Sequence, residues 1–117
     1  MSKGTIIIGN KESGKSTLAY GIICRYENPL RVNGRSPVGH FTFSHADVST
    51  DLIVVECTEK YLQQYINLVH GVVVEKRMES PYTIHPDILI VVDDMSPLSD
   101  ISILKGYEVY EIKRKTI

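Results

Sequence analysis

The sequence predicts a three-layer α/β fold: a mostly parallel sheet of about five strands, helices on both faces, and a small β-hairpin. Three observations carry that expectation. The runs Thr5–Ile8, Leu52–Cys57 and Asp87–Asp94 are short, rich in β-branched residues and apolar without alternation in their interiors, which suits strands covered on both faces. Segments with apolar residues at helical spacing follow the first two of these runs. At 117 residues the chain makes one domain, long enough to bury its own core.

Each element has its own local reason. Thr5–Ile8 is a β-branched row and reads as the first buried strand. A helix is expected from about Gly14 to Tyr26, with Leu18, Ala19, Ile22, Ile23 and Tyr26 on one face, and Asn28-Pro29 ends it. Leu30–Gly39, broken by glycine, arginine and proline, reads as a loop, and His40–Ser44 as a short strand. After Leu52–Cys57, Thr58 is a good N-cap and Glu59 sits where a negative charge complements the helix dipole. That helix should run to His70, with Tyr61, Leu62, Tyr65, Ile66 and Val69 inward and Gly71 as its C-terminal cap. Residues 72–86 give two short extended arms around a Met78-Glu79-Ser80-Pro81 turn. Asp87–Asp94 is the third buried strand, Pro97–Leu104 one short helix, and Tyr107–Lys113 an alternating edge strand.

The bulk numbers exclude several functions. A net charge of −1 rules out a chain that acts as a whole as a polycation for nucleic acid. No apolar run approaches the roughly 20 residues needed to cross a bilayer, and Met1–Gly4 leads straight into a strand, so a soluble cytoplasmic protein without a leader or membrane partner is expected. Cys24 and Cys57 lie in apolar runs and read as buried free thiols. His40, His45, His70 and His85 show no metal-ligand spacing with them.

The chemistry lies between the first strand and the first helix. Gly9-Asn10-Lys11-Glu12-Ser13-Gly14-Lys15-Ser16 fits G-x-x-x-x-G-K-[ST] at every fixed position, and Thr17 follows. Glycines let the backbone curl so that successive N–H groups point at phosphate oxygens, and the helix N-terminus adds its positive end. Lys15 is placed to reach the β and γ phosphates, and Ser16 to ligate magnesium. The ligands so implied are a nucleoside triphosphate, ATP foremost, and Mg2+. Such a site needs a carboxylate at the tip of a neighbouring strand. Glu56 ends one apolar run, while Asp93 and Asp94 end another. Glu56 is favoured by chain order, and the choice stays open.

These residues resemble the Walker A motif of P-loop nucleoside triphosphatases. The order that follows, from an apolar strand ending in an acid through a helix and a hairpin to a second apolar strand, resembles the AAA+-like core of superfamily-three helicases and related phage or plasmid ATPases. The resemblance implies a P-loop fold in which a further strand separates, or nearly separates, the Walker A and Walker B strands. It also implies Glu56 as the Walker B acid, Asp93 at the sensor place, Lys76 and Arg77 on a hairpin turned toward nucleic acid, and a ring-forming homo-oligomer. It implies a process, phage or mobile-element DNA metabolism. The sequence departs from that pattern at several points. Cys57 stands where a second acid activates water, and a neutral thiol is a poor base. Asp93 replaces a polar sensor, and Lys105 is the only cation before the last strand, without the planar fork of arginine. Arg31 and Arg35 are loop arginines of unfixed position. These departures point to slow or assembly-dependent hydrolysis, or to a nucleotide-dependent interaction module in which the ligand orders Arg31–Gly39 without turnover. A small-molecule kinase ranks lower, for want of a lid. The basic tail Lys113-Arg114-Lys115 reads as a solvated terminus. Residues Asp93-Asp94-Met95-Ser96 do not match the guanine-specifying pattern, which favours adenine.

Overall fold

A computed structural model describes residues 3–9, 15–39, 41–93 and 106–111. The order of elements is β1 (Gly4–Gly9), α1 (Lys15–Ile23), β2 (Pro29–Gly34), β3 (Leu52–Thr58), α2 (Glu59–Tyr65), a 3₁₀ segment (Ile66–His70), β4 (Val72–Val74), β5 (Tyr82–Ile84), β6 (Asp87–Asp93) and β7 (Tyr107–Glu111). Five strands form one sheet in the order β2-β3-β6-β1-β7, every neighbouring pair parallel. β4 and β5 form a separate antiparallel hairpin. The expected αβα architecture is therefore present, and β6 lies between β1 and β3.

The three apolar runs fill the centre of the sheet because nothing in them resists burial. All six residues of β1 are buried, as are Leu52–Val55 and Ile88–Val92. Successive side chains alternate between faces. Ile6, Ile8, Ile53, Val55, Ile88, Ile90 and Val92 meet Leu62 and Tyr65 of α2, Leu68 and the hairpin valines on one face. Ile7, Leu52, Val54, Leu89 and Val91 meet Ala19 of α1 on the other.

Several expectations need correction. Residues 29–34 form an edge strand, where a loop was expected from Leu30. Pro29 is tolerated because it is the first residue of the strand, and Leu30 and Val32 alternate inward onto the α2-side core. Gly34 is required there, since a Cβ would come within 2.6 Å of Val55 Cγ1 and 2.7 Å of Cys57 Cβ. Residues 41–45 are turns rather than a strand. Each turn closes over three residues, with Ser44 N–H donating to Phe41 O and Ala46 N–H to Phe43 O. Gly39 N–H also donates to the Thr42 hydroxyl at 2.7 Å, the local side-chain bonding that competes with a ladder.

The second helix changes type after Tyr65, and the tighter 3₁₀ turn brings Leu68 into the core, a residue the 3.6-residue period left outward. Thr58 makes no side-chain cap bond, although Gly71 does follow the helix, at φ 141°. α1 ends at Ile23, three residues short of Tyr26, and its exit tightens, with Arg25 N–H donating to Ile22 O and Tyr26 N–H to Ile23 O. The hairpin turn sits at Lys76–Glu79 rather than at Met78–Pro81: Glu79 N–H donates to Lys76 O, and Met78 takes a positive φ of 62°. Cys57 is buried as expected, but Cys24 is exposed, because it lies past the last helical turn. The third apolar strand is described as far as Asp93 and the last strand as far as Glu111. Asp94, the expected helix Pro97–Leu104, Lys105, His40 and the basic tail lie outside the described residues.

A polar clip closes the N-terminal edge of the sheet. The Asp51 carboxylate accepts the N–H groups of Glu27 and Asn28 at 2.8 and 2.9 Å, which fixes the corner between α1 and β2. Asp87 N–H donates to Asp51 O, and the Asp87 carboxylate accepts Lys3 N–H and the Tyr26 hydroxyl. At the opposite edge strand, the Tyr107 ring packs against Gly4, whose missing Cβ would sit 2.6 Å from it, and Tyr107 donates its hydroxyl to Ile66 O. Among the described residues no helix is long and apolar enough to cross a membrane.

Candidate functional site

Because all five strands of the sheet are parallel, their C-terminal ends share one edge, where ligands of open α/β sheets bind. The register fixes which residues meet there. Gly9, the last residue of β1, is level with Asp93 of β6, which is level with Thr58 of β3. One pleat lower on the α1-facing side, Ile7, Val91 and Glu56 share a row. β1 and β3 are two strand spacings apart, about 10 Å. Glu56 thus stands at the sheet end across β6 from the strand that opens the glycine-containing bend.

Lys15 begins α1 and is buried, at 8% exposure, an unusual state for a lysine. Ser16 and Thr17 follow in the first turn, both exposed. Residues 10–14, which hold Asn10, Lys11, Glu12, Ser13 and Gly14, lie outside the described residues, so the curl of the bend is carried by the sequence motif alone. α1 packs over β1 and β6. Beside it, toward β3 and β2, a cavity of about 380 Å³ opens. Val54 and Val91 form its floor, and Ala19, Tyr20 and Ile23 its helical wall. Its polar lining comes from three elements: Lys15 and Ser16 from α1, Glu56 from the end of β3, and Arg31 and Arg35 from β2 and the segment just after it.

The structure therefore brings together Lys15, Ser16 and Glu56 from the expected set, and adds Arg31 and Arg35. Strand alternation explains Arg31: Leu30 and Val32 turn to the α2-side core, so residue 31 turns to the α1 side. Arg35 is held by its surroundings. Its N–H donates to the Asn33 side chain at 3.0 Å, Tyr65 donates its hydroxyl to Ser36 O at 2.9 Å, and Val38 N–H donates to Gln64 at 2.9 Å. Reading 30–39 as a loop hid both arginines; the Leu30, Val32, Gly34 alternation was the available signal.

Other expected residues fall elsewhere. Cys57 packs into the α2-side core, on the face opposite Glu56, and is 1% exposed. It cannot serve as a base above the α1 face. Lys76 and Arg77 sit at the hairpin turn, and the hairpin valines pack into the α2-side core, away from the cavity. Among the described residues no group of three or more His, Cys, Asp or Glu is arranged to hold a metal. The arrangement present can offer one hydroxyl and one carboxylate, Ser16 and Glu56, to a cation that arrives with its own anionic ligand.

No family model matches the chain, and no curated protein matches it. Among solved structures it is similar to one described as the A form apo structure of the NrS-1 C-terminal region, with a TM-score of 0.58 and 12% sequence identity over 94% of this chain. The chain spans 28% of the length of that solved relative. At this identity the likeness establishes the shared fold.

Proposed function

We propose that the protein binds a nucleoside triphosphate with magnesium, ATP foremost, in the bend between β1 and α1. The observation that carries this reading is the complete G-x-x-x-x-G-K-S motif set between a buried strand and a helix, with Lys15 and Ser16 on the same cavity rim as Glu56. Backbone N–H groups of the bend and Lys15 hold the phosphates, while Ser16 and Glu56 face the magnesium. β6 between β1 and β3 supports the additional-strand reading, and Asp93, level with Gly9, is the residue we assign to the sensor role. Setting the protein in phage or mobile-element DNA metabolism, in a homo-oligomer, with Lys76 and Arg77 toward nucleic acid, follows from the same resemblance.

Turnover is slow or needs assembly. A water placed over the α1 face has Glu56 beside it but no second acid from Cys57, which is buried on the other face. The alternative, in which the ligand orders Arg31–Gly39, loses ground: Arg31–Gly34 is already strand, and Arg35–Val38 is tethered to Asn33, Gln64 and Tyr65.

Thermal shift with Mg-ATP tests the core reading, since a ligand that binds only the folded state raises Tm. Wild type should be stabilised and Lys15→Ala should lose most of the shift, the loss of a charged contact being about 1–3 kcal/mol. Equal shifts in both proteins, or none in wild type, would refute it. Phosphate release that disappears in Glu56→Gln marks an ATPase; tight binding with no release marks a non-hydrolysing module.

A further inference from the structure

We infer that the β2 end of the cavity is a separate subsite for a phosphate monoester, distinct from the phosphates of the nucleotide. The register shows why a phosphate held at the bend cannot also be held by Arg31. Arg31 is level with Val54, Val54 with Leu89, and Leu89 with Thr5 of β1. Arg31 is thus three strand spacings from β1, about 14 Å, and its row meets β1 four residues before Gly9, about 13 Å along the strand. The resulting separation exceeds what an arginine side chain can span. A phosphate held at the bend is therefore out of reach of Arg31, although both border one continuous cavity.

The chemistry of this end selects the ligand. Arg31 and Arg35 bring two guanidinium forks, and planar forks pair with phosphate oxygens in bidentate fashion. Two positive charges match a dianion, the form a phosphate monoester takes above its second pKa of about 6. Between them and the nucleotide end, Ala19, Ile23 and Val54 make an apolar strip with the Tyr20 ring at its margin. That strip suits the organic body of the ester. The pinned backbone at Arg35, Ser36 and Val38 keeps this rim in place before any ligand arrives.

This subsite stands on its own residues, so it can be tested apart from the nucleotide reading. The probe is adenosine 5′-monophosphate, with inorganic phosphate beside it, titrated calorimetrically into the full chain with and without saturating Mg-ADP. Wild type should bind the probe in both conditions, more weakly below about pH 6. Arg31→Gln with Arg35→Gln should weaken probe binding at least tenfold and leave Mg-ADP affinity within about twofold. Both side chains are exposed, so the double variant should keep its circular dichroism spectrum; Arg31→Lys, which keeps the charge but not the fork, is a milder second variant and should give an intermediate loss. Lys15→Ala should lose Mg-ADP and retain the probe. Probe binding that Mg-ADP abolishes, or that survives both glutamine substitutions, overturns the inference. A wild type that ignores Mg-ADP yet binds the probe through Arg31 overturns the nucleotide reading and leaves the subsite standing.

Discussion

On one face of the sheet, Ile6, Ile53, Val55 and Ile90 lie under α2, the 3₁₀ segment and the hairpin, with Leu62, Tyr65, Leu68, Val72 and Val74 all buried among them. On the other, among the described residues, Ile7, Val54 and Val91 lie under α1, and Ala19 is the only apolar residue of that helix to be buried. Leu18, Ile22, Ile23 and Tyr26 reach the sheet only in part. The same strands thus serve a closed face and an open one. The open face carries the charged residues at the sheet end: Lys15, Arg31, Arg35 and Glu56 all border its cavity. Closure needs bulk from several elements, and among the described residues α1 is the one helix that packs on the open face.

The comparison breaks most sharply at Tyr65. It is fully buried, its ring fills the closed face, and its hydroxyl holds the loop after β2. Tyr65→Ala should lower the free energy of unfolding by about 3–5 kcal/mol, read by urea denaturation. The counterpart on the open face, Ile23→Ala, removes a half-buried side chain and should cost only about 1 kcal/mol. Equal losses would mean that both faces are packed alike.

Gly34→Ala tests the boundary between the faces. The added methyl meets Val55 and Cys57 side chains at 2.6 and 2.7 Å and Glu56 O at 3.0 Å. Backbone on one side and buried strand side chains on the other leave little room to yield, so overpacking should cost about 1–3 kcal/mol. β2 would shift outward, and Arg31 and Arg35 with it. Weaker anion binding in a protein that still folds would tie the edge strand to the open face. Unchanged stability would show that β2 is loosely held.

Much of this organisation was legible in the chain. The buried strands declared themselves by β-branched runs without alternation, because a strand covered on both faces has no polar side. That Lys15, Ser16 and Glu56 lie near one another was legible from motif and chain order. β2 was not, because Pro29 and Gly34 read as loop signals, yet here they mark a strand start and a close backbone approach. Turn chemistry at Gly39 and Thr42 overrode the β-prone Phe41-Thr42-Phe43. Leu68 was misplaced because a change from 3.6 to 3.0 residues per turn has no mark in the sequence. The arginines were hidden by a single error, since a residue's face on a strand is known only once the strand is.

The smallest effect is also the most specific. Tyr26 sits where α1 turns toward β2, at the open face's far edge, and donates its hydroxyl to Asp87 at 2.6 Å. Partial burial, then the hydrogen bond to Asp87 and the charge of that carboxylate, push its pKa from an ordinary 10.0 to about 12. The fold thereby favours the protonated phenol. Between about pH 10 and about 12 the unfolded chain has released this proton while the folded chain keeps it, so stability falls as pH rises. The contribution is fully present below about pH 10 and is lost as pH climbs through about 12. At neutral pH, Tyr26→Phe should cost about 1 kcal/mol, the loss of one hydrogen bond. Burial also raises Tyr65 and Tyr107 on the closed face, so the variant will still weaken in alkali. The deficit relative to wild type should shrink across that window, read by urea denaturation at pH 8, 10 and 11. A constant deficit would show that Tyr26 acts by packing alone, and that the clip at this edge carries no proton-linked energy.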